Sequence, residues 1–271
     1  MIEAAVDAVR DFQKNGYTVL RGFFTIPEIE RLAAAALSHH HAKTDLMHVG
    51  VTHHGHSFER SYDVWQESED VRAFAFDSGL TQICADMLDC DELRIIADDV
   101  FLKRPGDRVS NWHYDRKFVP IDNNRFLSVW IPLVDVSNDM GTMAYVPGSH
   151  RQGYVAPRKP FTGQIRGHLW YEAQIKLRKE RTERIEACRG DVLIHHGNTL
   201  HMAGANSSDR PRIAYGVHYA DARSRFVTPQ NESQHVHVRD ANWQALRPGD
   251  EIATASSPIV LAVQGREPVT A

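Results

Sequence analysis

The stretch Phe126-Leu-Ser-Val-Trp-Ile-Pro-Leu-Val134 is short, rich in β-branched and aromatic residues, and reads as a strand. Others of its kind follow one another from about residue 92: Leu93-Arg-Ile-Ile-Ala97, Val100-Phe-Leu-Lys103, Met143-Ala-Tyr-Val146, Arg184-Ile-Glu-Ala187, Val192-Leu-Ile-His195 and Ile213-Ala-Tyr-Gly-Val-His-Tyr219. Turn clusters such as Arg104-Pro-Gly-Asp107, Asn138-Asp-Met-Gly141, Arg189-Gly-Asp191 and Asn206-Ser-Ser-Asp209 separate them. Many short strands without intervening helices predict a mainly β sandwich or barrel.

Upstream the pattern differs. Ala4 to Lys14 carries apolar residues at helical spacing and stops at Asn15-Gly16, a C-cap signal. Tyr17 to Phe24 reads as a strand. Thr25, with Glu28 three residues on, opens a second helix through a capping box, and segments 68–76 and 79–88 are also helical in pattern. Between about 151 and 181 Gly, Pro, Arg and Lys mix without a clear period, which reads as an irregular flap. The expectation is one domain over 1–271: a helical N-terminal layer (1–91) and a β core (92–271) that carries the 151–181 flap, with the 222–232 loop closing beside it.

Composition narrows the function. The 271 residues include 31 Lys+Arg and 35 Asp+Glu, a formal net charge of −4, with 42% hydrophobic and 24% charged residues. That balance offers no footprint for nucleic acid or an anionic membrane surface. No apolar run reaches the roughly 18 residues that span a bilayer, and the acidic start Met1-Ile-Glu-Ala-Ala-Val-Asp7 lacks the marks of a secretory signal. Three cysteines, Cys84, Cys90 and Cys188, fit a reducing compartment better than a disulfide framework. A cytoplasmic protein is expected. Sixteen histidines stand out, and histidine is the commonest metal ligand.

Asn111-Trp-His-Tyr-Asp-Arg-Lys117 holds the sharpest local signal. On an extended backbone, His113 and Asp115 project to one side with Cα atoms roughly 6.6 Å apart, within reach of one cation. A third ligand is on offer at His195, His196 or His201, in Gly190-Asp-Val-Leu-Ile-His-His-Gly-Asn-Thr-Leu-His201. His195 and His196 point to opposite faces of a strand, so at most one of them faces a shared metal. Two histidines and one carboxylate on one face, with the other open, suit non-haem Fe(II) that binds O2 and an organic co-substrate. One net positive charge at such a site attracts an anionic chelator such as a 2-oxo acid. Arg212, at the start of a strand after the Asn206–Pro211 turn, is a candidate anchor for its far carboxylate. Arg210, inside the turn, ranks behind it.

At this point the chain resembles the phytanoyl-CoA dioxygenase family of Fe(II)/2-oxoglutarate-dependent oxygenases. The resemblance runs over most of the sequence. It is carried by Phe12 to Phe24, by Trp112-His-Tyr-Asp115, by Trp130-Ile-Pro-Leu-Val-Asp135 with Asn138-Asp-Met-Gly141 and Val146-Pro-Gly-Ser-His150, and by Gly190-Asp-Val192 through His201 to Arg212. It implies a double-stranded β-helix, a cupin-like jelly roll. It also implies His113, Asp115 and His201 as iron ligands, Arg212 as the holder of 2-oxoglutarate, and oxidation of a small-molecule substrate by O2 with release of succinate and CO2. Many members place a small hydroxyl residue where this chain has Ala203, so hydroxyl support for the co-substrate must come from elsewhere. Retention of Asp115 argues against the halogenating relatives.

Other residues carry weaker expectations. Lys103, Trp130 and Thr142 are candidates for the co-substrate pocket, against ordinary packing, and Tyr145 reads as core. Arg116, Lys117, Arg158, Lys159, Arg166, Arg223 and Arg225 flank the site and would draw an anionic substrate, or simply form a solvated face. His39-His-His41 suits a helix C-terminus. His48, His53, His54 and His56 crowd a polar loop with no carboxylate to complete a metal pattern. His150 reads as a turn stabiliser. The competing reading is a non-catalytic jelly roll that binds metal or ligand. Among enzymes, desaturation, epoxidation and rearrangement use the same ligands as hydroxylation.

Overall fold

The structure, a computed structural model, describes residues 2–43, 46–49, 55–152 and 167–262. In chain order the elements are α1 (Ile2–Asn15), β1 (Tyr17–Leu20), α2 (Ile26–Ala42), β2 (Met47–Val49), β3 (Phe58–Tyr62), α3 (Val64–Glu67), α4 (Glu69–Ala75), α5 (Ser78–Leu88) and β4 (Glu92–Lys103). There follow β5 (Ser110–His113), β6 (Phe126–Pro132), β7 (Met143–Tyr145), α6 (Gly167–Arg178), β8 (Glu183–Ile185), β9 (Val192–His196), β10 (His201–Ala203), β11 (Arg212–Asp221), α7 (Glu232–Asp240) and β12 (Ile259–Ala262). Two antiparallel sheets result. The larger runs β1-β9-β6-β11-β4-β3-β2, with β12 also paired to β4, and the smaller runs β5-β10-β7-β8.

Every residue of β6 is buried, because both faces of the larger sheet are covered. Leu127, Val129 and Ile131 alternate outward and join Tyr215, Val217 and Tyr219 of β11 in a core shared with Phe12, Ile29, Leu32 and Leu80 of the helices. Trp130 turns inward and packs with Tyr17, Tyr145, Leu193 and Ala214. This is the jelly-roll arrangement, with a helical layer on its outer face. At the entry to α2, the Glu28 carboxylate accepts from both the backbone N–H and the hydroxyl of Thr25, each at 2.7 Å. No described helix is long and apolar enough to cross a membrane.

Several elements depart from the expected pattern. The two strands read at 93–97 and 100–103 are one, β4, unbroken across Asp98-Asp99. Both aspartates are buried but fully employed. Asp98 accepts from the backbone N–H groups of Val64 and Trp65 at 2.9 and 2.8 Å and from the Tyr215 hydroxyl at 2.9 Å, while Asp99 pairs with Arg60 and His218. Part of the 151–181 segment is helical: α6 buries Tyr171 and Ile175, four residues apart, against Val146 and Leu200. Residues 153–166 lie outside the described residues, so the flap itself is not placed. The 222–232 loop runs into α7, which the sequence did not announce.

Candidate metal centre

The site is assembled from the smaller sheet outward. His113 ends β5 and His201 begins β10, and the two are direct cross-strand partners, with a register shift just beyond, between His201 and Ala203. Their rings stand 4.2 Å apart. His113 Nδ1–H donates to the Asn111 carbonyl at 2.7 Å and His201 Nδ1–H to the Thr199 carbonyl at 2.9 Å. Each ring is thereby fixed in the tautomer that leaves Nε2 bare. Asp115 is not on the strand but opens a 3₁₀ turn (Asp115–Phe118) after the extended residue Tyr114. Its Oδ1 lies 3.5 Å from His113 Nε2 and 3.6 Å from His201 Nε2. Donor atoms of all three residues fall within 4.8 Å of one another.

Electrostatics suit a cation. Burial alone would raise the Asp115 carboxyl, but the imidazoles of His201, His195 and His113 outweigh it and hold the group well below the ordinary range. Burial pushes His113 and His201 down, helped at His113 by the charges of Lys117 and His195 and at His201 by those of His113 and His195. The site therefore presents an anionic oxygen and two neutral nitrogens at neutral pH.

Around the triad the larger sheet supplies a row of polar side chains. His195, Ser128 and His218 are successive cross-strand partners on β9, β6 and β11. His195 Nε2–H donates to Asp115 Oδ2 at 2.9 Å and the Ser128 hydroxyl donates to the same oxygen at 2.6 Å. Ser128 Oγ is 2.8 Å from His218 Nδ1, and His218 Nε2 is 3.0 Å from Asp99 Oδ2. Motif reading missed this row, although period two from Arg212 places Ala214, Gly216 and His218 on one face. Glycine is needed at 216, where a Cβ would meet the Phe101 ring at 2.6 Å.

His113, Asp115, His195 and His201 line a cavity of about 560 Å³ together with Trp130, Arg212, Phe101 and residues of α7. Arg212 is 3% exposed. Its Nη1 donates to the Gly141 carbonyl at 2.8 Å, its guanidinium carbon lies 5.5 Å from the Trp130 ring centre, and its Nε is buried with no partner. Burial lowers its pKa only to about 10, so it stays charged. A buried, partly unsatisfied guanidinium facing a cavity fits a carboxylate.

Lys103 and Thr142 are not among the described residues that line the cavity. Lys103 is the cross-strand partner of Arg212, but its ammonium is fully buried and donates to the Arg108 carbonyl. Burial and the Arg212 charge push it down to about 7. The Thr142 hydroxyl donates to the Ile185 carbonyl. Arg210 stays in its exposed turn, where its Nη2 lies 3.9 Å from the Met140 sulfur.

Of the flanking basic residues, Arg116 donates to three backbone carbonyls, of Asn123, Val119 and Ile121. Arg223 pairs with Asp221, and Arg225 faces Glu251. Lys117 lies over the Tyr114, Phe118 and Tyr171 rings. Arg158, Lys159 and Arg166 lie outside the described residues.

The remaining histidines sort by environment. His196 turns away from the triad, accepting from the Asn198 N–H at 3.0 Å, and burial pushes it down to about 4. His150 meets the Gln13 carbonyl at 3.2 Å. His39 and His40 are buried rather than solvated, and His40 sits 3.0 Å from Ser61 Oγ. Contrary to the sequence reading, a carboxylate does join His48 and His56: Glu59. That carboxylate is gripped by Arg104 through two hydrogen bonds of 2.7 and 3.0 Å, which cancels its charge. His53 and His54 lie outside the described residues.

Residues 12–214 match the phytanoyl-CoA dioxygenase (PhyH) family. The chain belongs to that family. Relatives of this PhyH protein include the probable alpha-ketoglutarate-dependent hypophosphite dioxygenase of Stutzerimonas stutzeri, 26% identical over 229 residues that cover 79% of this chain and 77% of that protein. Among solved structures, the non-heme alpha ketoglutarate dependent carbocyclase SnoK from nogalamycin biosynthesis superposes with a TM-score of 0.77 at 25% identity, over 93% of this chain and 95% of SnoK. The epimerase SnoN, in complex with Fe3+, alpha ketoglutarate and nogalamycin RO, superposes with a TM-score of 0.76 at 24% identity, over 96% of this chain and 100% of SnoN. This PhyH protein is an Fe(II)- and 2-oxoglutarate-dependent dioxygenase that uses O2.

Proposed function

We propose that the protein hydroxylates a C–H bond of a small metabolite or natural-product intermediate, releasing succinate and CO2. The reading rests on one observation: a bare-nitrogen, bare-oxygen triad and a buried guanidinium with an unpartnered Nε face the same cavity. In this reading His113 Nε2, His201 Nε2 and Asp115 Oδ1 hold Fe(II), and Arg212 holds the distal carboxylate of 2-oxoglutarate through paired hydrogen bonds. The bound metal would supply oxygen activation driven by decarboxylation of the co-substrate. The protein's own part is geometric. His195 and Ser128 fix Oδ2 so that Oδ1 faces the imidazoles, Trp130 backs the Arg212 guanidinium, and Phe101, Phe58 and Val236 give the substrate chamber apolar walls. Small-molecule chemistry follows from the chamber's size and agrees with relatives whose names refer to nogalamycin biosynthesis and to hypophosphite. Among the described residues, Arg60 is the one further cation lining the chamber, and Asp99 engages it, so an anionic group on the substrate has no support from this wall.

The test is succinate formation with Fe(II), 2-oxoglutarate and a substrate panel, with the hydroxylated product identified by mass spectrometry. His113→Ala and Asp115→Ala should lose turnover by more than about 100-fold while keeping their circular dichroism. Arg212→Lys, which trades a fork for a point charge, should raise the KM for 2-oxoglutarate by about 10- to 100-fold. Full turnover in either alanine variant would overturn the ligand set. An unsaturated or rearranged product in place of an alcohol would overturn hydroxylation alone.

A further inference from the structure

Two buried tyrosines take no part in the chemistry above, yet they run from the metal centre to the surface. Tyr145 is fully buried. Its hydroxyl lies 3.4 Å from His195 Nδ1, and its ring centre is 5.5 Å from the His195 ring and 6.1 Å from the His201 ring. Because His195 Nε2–H donates to the Asp115 carboxylate, Nδ1 is the bare nitrogen, and the Tyr145 hydroxyl donates to it. On its other face Tyr145 stacks on Tyr17, centres 4.4 Å apart and planes within 9°. Tyr17 in turn donates its hydroxyl to Glu183 Oε2 at 2.6 Å, and the Glu183 side chain is 29% exposed beside the 81%-exposed side chain of Arg181.

Packing alone would account for two aromatic rings in a core. It does not account for both hydroxyls being aimed at acceptors, one toward the metal side and one toward solvent. Burial, reinforced at Tyr17 by the bond to Glu183 and at Tyr145 by the Asp115 charge, holds both phenols protonated far into the alkaline range. Oxidation of such a phenol must release its proton, and an acceptor already in hydrogen-bond contact makes that release local.

We propose that Tyr145 and Tyr17 form an electron path that protects the iron centre when 2-oxoglutarate is consumed with no C–H bond in reach. The proposal rests on the iron site proposed above. The oxidant is the pair of oxidising equivalents that the enzyme's own reaction would leave at iron in such an uncoupled turnover, so return to Fe(II) needs the path to run twice. In each pass the iron site gains one electron and one proton from solvent in the chamber, and Tyr17 loses one electron, passed through Tyr145, which ends as it began. The Tyr17 O–H bond breaks, its proton passes to Glu183 Oε2, and a neutral tyrosyl radical remains on Tyr17. A one-electron reductant of the ascorbate class then returns the electron near the Glu183 surface, and the carboxyl returns the proton. Electron tunnelling falls steeply with distance, so a stacked ring pair in van der Waals contact outcompetes oxidation of side chains farther from the metal.

Tyr17→Phe and Tyr145→Phe keep the rings and the stack and remove only the hydroxyls. With Fe(II), 2-oxoglutarate and O2 but no substrate, freeze-quenched wild type should show a tyrosyl electron paramagnetic resonance signal that narrows with ring-deuterated tyrosine. Tyr17→Phe and Tyr145→Phe should each lose that signal or shift it to another residue, and each should inactivate several-fold sooner, with oxidised residues near the iron detectable by peptide mass spectrometry. An anaerobic Fe(II)–2-oxoglutarate charge-transfer band, measured on all three proteins, separates the two possible failures. A normal band with no tyrosyl signal in wild type, or equal signals and lifetimes in all three proteins, overturns the electron path alone. Absence of the band from wild type overturns the iron site, and the path with it.

Discussion

Asp115 turns Oδ1 toward the Nε2 atoms of His113 and His201 and leaves Oδ2 to the His195 ring and the Ser128 hydroxyl. A carboxylate held at one oxygen points the other, and outer partners of this kind are worth about 10- to 100-fold in metal affinity. Ser128→Ala should therefore weaken Fe(II) or Co(II) binding by about that factor, read by titration calorimetry, with the fold unchanged. Lys103 makes a second residue-level prediction. Its folded pKa lies near 7, below the ordinary 10.5. Between those values the unfolded chain holds the extra proton, so stability climbs as pH rises through that window, and below about 7 the full penalty of a charged, buried ammonium is in force. Relative to Lys103→Met, wild type should gain stability from pH 7 to 10, at no more than about 1.4 kcal/mol per pH unit. Urea unfolding of the metal-free proteins across that range checks the slope. The pairing of His113 with Asp115 could be proposed from sequence because the two are two residues apart on near-extended chain, whereas His201 was singled out from its neighbours only by the family resemblance. His195, Ser128 and His218 could not be so grouped, because only the β9-β6-β11 register brings them together.

At the level of elements, β6 and β11 were legible as strands because both are short runs rich in β-branched and aromatic residues near turn clusters, the composition of strands covered on both faces. β4 misled the reading at Asp98-Asp99, since two buried charges in a strand interior are rare unless paired. Asp98 caps α3 from a different part of the chain, while the residue that precedes α3, Asp63, makes no cap. Asp98→Ala should strand two backbone N–H groups and the Tyr215 hydroxyl, costing on the order of 3 kcal/mol or more. The urea midpoint should fall with the m-value unchanged. α7 escaped notice because Glu-Ser-Gln-His-Val-His-Val-Arg-Asp has no broad apolar stripe. Its N-cap is Asn231, whose side chain accepts from Gln234 N–H at 3.0 Å. Asn231 and Gln234 also donate to the Lys117 carbonyl at 3.2 and 3.1 Å, tying α7 to the turn that bears Asp115.

For the whole molecule, ligands that bind only the folded chain stabilise it by mass action. Mn(II), a redox-inert stand-in for Fe(II), supplied with 2-oxoglutarate at about 100 times its dissociation constant, adds about 2.7 kcal/mol and should raise the Tm by about 5 °C. His201→Ala should show little of that rise by differential scanning fluorimetry. The two-layer architecture was foreseeable from composition and turn spacing, whereas the wall of the chamber was not, because β2, β3 and α7 reach it from distant stretches of sequence.

His113 and His201 face each other as rungs of one hydrogen-bonded ladder, so the grip on iron proposed for them would be inherited from how two strands align, not from how any loop is shaped. β2, β3 and α7, by contrast, are peripheral pieces that touch the chamber and make no part of that alignment. Natural variation can therefore redraw what the enzyme accepts by rewriting those pieces while the reactive heart passes unaltered from one descendant to the next.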